Sequence, residues 1–171
     1  MKGARKDPRH RAREAALQVL YQWEIGRTDV ASAADTFFGL QWADAEPPPD
    51  DLRSFATELA HDTVRRLADA DALIADTAER WRPERMAVLD RLILRMAVTE
   101  LLRQARPAGA TAAPAADSAV TKAARQPGRE DQPPPAVVIN EALELARTFS
   151  TEDAVKFING MLDAIRKKLE L

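Results

Sequence analysis

The chain has 171 residues, 46% hydrophobic and 30% charged, a length and mix that suit one soluble domain with a real core. It has no cysteine, which excludes disulfides, thiolate catalysis and zinc–cysteine sites. The net charge of −2 hides a split: residues 1–13 carry +5 and the rest −7.

Alanine, leucine and arginine dominate and β-branched runs are scarce, so the expected fold class is all-α. No apolar run approaches the ~20 residues of a membrane span. The basic N-terminus has no apolar segment behind it and does not read as a secretory signal. The expected location is the cytoplasm. The basic end fits either an anionic partner or a solvated tail.

Asp7-Pro8 opens the first helix, with Asp7 as cap and Pro8 in the first helical position. Ala12, Ala16, Val19, Leu20 and Trp23 keep helical spacing, and Gly26 is the expected stop. A second helix is expected over 30–40, with Ala33, Ala34, Phe37 and Leu40 on one face. Pro47-Pro48-Pro49 ends that region, and Asp50 or Asp51 starts a third helix with Leu52, Phe55, Ala56, Leu59, Thr63 and Leu67 inward. A break is expected at Asp69–Asp71 in ADADAL. Leu73, Ile74, Thr77 and Trp81 then belong to a following short helix.

Pro83 is expected to open the most regular helix, with Met86, Leu89, Ile93, Met96 and Glu100 on one line and Leu92, Ala97 and Leu101 widening the stripe. From Gln104 to Pro135 the composition turns to scattered proline, alanine, threonine and charge, and no face could pack. This reads as a flexible Ala/Pro-rich insertion within a single domain spanning 1–171, because the ~36 residues after it are too few for a core of their own.

Two helices close the chain. Val138, Ala142, Leu145, Ala146 and Phe149 line the first. Ser150 or Thr151 caps the second, in which Ala154, Phe157, Ile158, Met161, Leu162, Ile165 and Leu169 hold the period across Asn159-Gly160. The Asn-Gly dipeptide is a hairpin signal, but neither flank alternates with period two. A mid-helix glycine costs ~1 kcal/mol relative to alanine. Gly160 is therefore expected to admit the close approach of another helix, with Asn140 and Asn159 bonding across the pair.

Evidence for catalysis is missing. There is no glycine-rich phosphate loop, and His10 and His61 lack metal-ligand spacing. An enzyme is not expected, nor is a cofactor or a metal. His10 reads with the basic end and His61 as a surface residue. Arg9, Arg11 and Arg13 fall at the start of a helix that also carries Tyr21 and Trp23. Arginine pairs phosphate bidentately, and an aromatic ring stacks on an unpaired base. Trp23 lies on the apolar face. Tyr21 lies off it, either to stack on a base or to pack at the core edge with its hydroxyl in water.

The blocks RAREAALQVLYQWEIG, DRLILRMAVTEL and VINEALELARTFSTEDAVKFINGMLDAI together resemble the NusB family of transcription antitermination factors. Residues 28–80 resemble it only in helical pattern, and the 104–135 insertion departs from it. The resemblance implies an all-α fold of about seven helices in two packed bundles. It implies binding of single-stranded boxA RNA in ribosomal RNA transcripts, jointly with the ribosomal protein NusE, in an RNA polymerase complex with other Nus factors. It assigns Arg5, Arg9, Arg11 and Arg13 to phosphate, and Tyr21 and Phe157, with Lys156 and Asp153 beside them, to RNA. Asp90 matches a position facing NusE and is expected to be exposed. A monomer and a homodimer both remain open. Other readings are an RNA-binding subunit serving an rRNA methyltransferase and a helical interaction protein that binds no RNA.

Overall fold

The computed structural model describes residues 7–42, 46–78, 82–105 and 132–171. Among them are seven α-helices and no strand. Trp81 and most of the insertion, 106–131, lie outside the described residues.

Helix α1 runs Pro8–Gly26, and the Asp7 carboxylate accepts from the Arg9 backbone N–H at 3.1 Å. The left-handed residue that ends it is Arg27 (φ 50°), one position after the glycine. Helix α2 spans Val30–Thr36 and widens into a π turn, Phe37–Gln41. That wider turn changes the register. Phe37 and Phe38 go inward, and Leu40, expected on the apolar face, is 84% exposed.

Helix α3 covers Asp50–Arg65 and α4 covers Leu67–Thr77. The break falls at Arg66, not at Asp69–Asp71. Ala70 and Ile74 are fully buried, which holds ADADAL in helical form, and Asp71 accepts two bonds from Arg95 at 2.8 and 2.7 Å. Pro83 likewise opens only a single 3-10 turn, Pro83–Arg85. Met86 and Ala87 are extended, and α5 begins at Val88 and ends at Gln104.

Every residue of α5 from Leu92 to Leu101 is buried. Each large apolar side chain there contributes ~1.5–3 kcal/mol by burial. Helix α5 packs against α1 and α3 on one side and against α4, α6 (Pro135–Phe149) and α7 (Glu152–Lys168) on the other. Helices α1, α2 and α3 also pack on one another, as α7 does on α4 and α6, so two bundles share α5. Thr151 caps α7, its hydroxyl accepting from Ala154 N–H at 3.2 Å. The ends of the insertion meet: the Gln104 side chain donates to the Pro133 carbonyl at 2.8 Å.

Gly160 does not serve helix packing. A β-carbon there would meet nothing within 4 Å. Asn140 and Asn159 are exposed, so neither has a buried polar group to satisfy, and the expected bonding across α6 and α7 has no basis. The glycine sits on an open helix face.

Candidate nucleic-acid interface

The basic start of α1 divides into residues that face out and one that does not. Arg5 lies outside the described residues. Arg9 is exposed, with its guanidinium carbon 4.7 Å from the centre of the Phe55 ring, and Arg11 lies 5.2 Å over Trp42. Both place a cation above an aromatic face, which orients the side chain, though Arg11 is half-buried there.

Arg13 corrects the expectation of a phosphate contact. It is 3% exposed, and its Nε and Nη2 donate to Oε1 and Oε2 of Glu100 at 2.9 and 2.8 Å. Burial would lower its pKa, but the bond and charge of Glu100, helped by Glu141, raise it above the ordinary value. This guanidinium pins α1 to α5. His10 also departs from the basic face. Its Nδ1 lies 2.8 Å from Glu141 and its Nε2 lies 3.3 Å from Glu14, so it sits between two carboxylates.

The aromatic candidates are at the surface. Tyr21 and Phe157 are each 42% exposed. Asp153 and Lys156 are exposed beside Phe157 on α7. Helical spacing puts Asp153, Lys156, Phe157 and Gly160 on one face. With no β-carbon at Gly160, that face is shallow just beyond the Phe157 ring. Helices α1 and α7 are not main packing partners; α6 links them, packing on α7 and reaching α1 through Glu141, which meets His10 and Arg13.

Asp90, in the first turn of α5, is half-buried rather than exposed. Its Oδ1 is buried and has no hydrogen-bond partner among the described residues.

A second cluster of cations brings together residues far apart in the sequence. Asp62 of α3 is 4% exposed and binds Arg65 and Arg103, with Arg66 Nε 3.7 Å away. Burial alone would raise its pKa, but the bonds and charges of Arg103 and Arg65 hold it below the usual carboxylate value. The cluster borders a cleft of about 910 Å³ between α1, α3 and α5, whose lining includes Arg9, Phe55, Glu58 and His61. The only local hint was Arg65-Arg66 at a helix end; Arg103, on another helix, gave none. Among the described residues no group of three or more His, Asp or Glu side chains could hold a metal ion, and no helix is long and apolar enough to cross a membrane.

The sequence model of the NusB family matches residues 10–133 and 128–167. The transcription antitermination protein NusB of Solibacter usitatus is 38% identical over 161 residues, covering 94% of this chain and 90% of that protein. The protein of the same name from Koribacter versatilis is 37% identical over 162 residues, covering 95% and 90%. The solved structure of T. maritima NusB has a TM-score of 0.67 at 29% identity and covers 98% of this chain and all of that one. A crystal structure of antitermination factors NusB and NusE in complex with dsRNA shares the fold, with a TM-score of 0.68 at 21% identity, covering 96% and 99%.

Proposed function

The chain belongs to the NusB family, and on that premise we propose that it is a cytoplasmic transcription antitermination factor. It binds single-stranded boxA RNA of ribosomal RNA transcripts together with NusE. The bound complex joins RNA polymerase and the other Nus factors. The observation that carries this reading is the open face of α7, where Phe157, 42% exposed, stands beside Lys156. An exposed aromatic ring offers a π face on which an unpaired base can stack. Lys156 adds a cation for the adjoining phosphate, and Asp153 adds an acceptor for base or sugar donors.

Arg9 and Arg11 supply phosphate contacts at the start of α1, with Arg5 preceding them and Tyr21 as a second stacking ring. Arg13 takes no part, because Glu100 holds it inside. Residues 1–171 act as one RNA-binding domain with 104–135 an excursion from it, a reading supported by the bond that joins Gln104 to Pro133. Asp90 contributes to the NusE surface through its outward oxygen.

The test is the affinity of the purified chain for a short boxA-containing RNA, with and without NusE. Tight, salt-sensitive binding that NusE strengthens is expected, and substitution of Asp90 by Lys should reduce the NusE effect. Equal affinity for boxA and for a scrambled RNA, in the presence of NusE, would exclude this function.

A further inference from the structure

Asp62 gathers more positive charge than it can neutralise. One carboxylate faces three guanidiniums, those of Arg65, Arg66 and Arg103, which leaves the group at +2. The Arg66 Nε–H is buried and makes no hydrogen bond among the described residues. Arg65 keeps 76% of its side chain exposed at the edge of the cleft. Of the cleft's other carboxylates, Glu100 is neutralised by Arg13, whereas Asp51 is exposed and accepts only the Leu52 N–H at 2.9 Å, so it keeps its charge. Glu58 is exposed there, Arg103 reaches its backbone carbonyl at 3.5 Å, and its carboxylate has no ion-pair partner among the described residues.

The cleft also opens onto the basic start of α1, since Pro8 and Arg9 form part of its wall. Converging guanidiniums at an open cleft attract an anion, and the fork of arginine matches phosphate oxygens. We propose that the cleft between α3 and α5, walled by Arg65, Arg66 and Arg103, is a second phosphate-binding point that receives the backbone of an RNA strand lying across Arg9. The site rests on the RNA-binding reading above and extends it to a surface remote from Phe157 in sequence. Glu58 and Asp51 are the exposed carboxylates of the cleft that oppose the strand.

The experiment measures binding of a single-stranded boxA RNA against salt concentration for the wild type and for Arg65→Gln, Glu58→Gln and Arg9→Gln. Arg147→Gln, on the exposed face of α6, controls for net charge. Arg65→Gln should lower the log–log slope by ~0.7, the loss of one phosphate contact. Glu58→Gln should raise affinity, and because it breaks no ion pair it reads the same field without risk to the fold. Arg147→Gln should change neither. If Arg9→Gln weakens binding while Arg65→Gln and Glu58→Gln match the wild type, the cleft site is wrong and the RNA-binding reading stands. If the wild type fails to bind the RNA at all, both are wrong.

Discussion

Arg13 of α1 and Glu100 of α5 form a buried two-point ion pair, with side chains 4% and 6% exposed and both guanidinium–carboxylate bonds below 3 Å. Such a pair is matched in geometry, and neither charge tolerates the loss of the other. Arg13→Gln should therefore cost ~3–5 kcal/mol of stability by leaving Glu100 buried and uncompensated. Replacing both, as Arg13→Met with Glu100→Leu, should recover most of that loss. The RNA affinity of the folded protein should change little in either case. Denaturant unfolding of the single and double variants, with RNA titration at a temperature where each is folded, checks both halves.

The same pair shows where a sequence stops being readable. Asp7-Pro8 and Thr151 act through bonds to residues two or three positions away, so local chemistry was enough to place both helix starts. Arg13 and Glu100 lie 87 residues apart, and no local pattern tells a paired arginine from a free one. The break falls at Arg66 and not at Asp69–Asp71 for a related reason. Alternating Asp and Ala in ADADAL looks helix-breaking until the fold buries Ala70 and α5 supplies an arginine for Asp71. Tyr21 falls off the apolar face by periodicity and is exposed, whereas Phe157 falls on that period and is 42% exposed all the same.

Gly160 has open space where its β-carbon would be. Gly160→Ala should then stabilise α7 by up to ~1 kcal/mol, the ordinary propensity difference. Packing would have given the opposite sign. A gain in thermal stability accompanied by weaker boxA binding would mark the glycine as kept for the approach of a ligand; a gain with unchanged binding would leave it without a role at the interface.

Asp62 should make stability depend on acid. Its folded pKa lies below the ~3.9 of an unfolded aspartate. Its contribution is thus complete above about pH 4 and is lost as pH falls through the folded value. Asp62→Asn should be less stable than the wild type at neutral pH, because three arginines lose their shared carboxylate. The gap between the two should narrow on acidification. Urea midpoints for both proteins at pH 7 and near pH 3 measure this, and a gap that stays constant would remove Asp62 from the acid response.

Phe157 is the sharpest test of the interface, because its exposure separates binding from folding. At 42% exposed it leaves part of the ring in water, while its neighbour Ile158 is fully buried and anchors α7. Phe157→Ala should cost clearly less stability than the ~3–5 kcal/mol of a fully buried phenylalanine. It should cost ~1–3 kcal/mol in boxA affinity if a base stacks on the ring. Tyr21→Ala should behave the same way if the second ring is also engaged. Phe157→Leu sharpens the comparison, since it keeps apolar bulk and removes the π face. Leucine restoring stability but not affinity is the pattern that stacking requires. Leucine restoring both would mean that the position needs only apolar bulk.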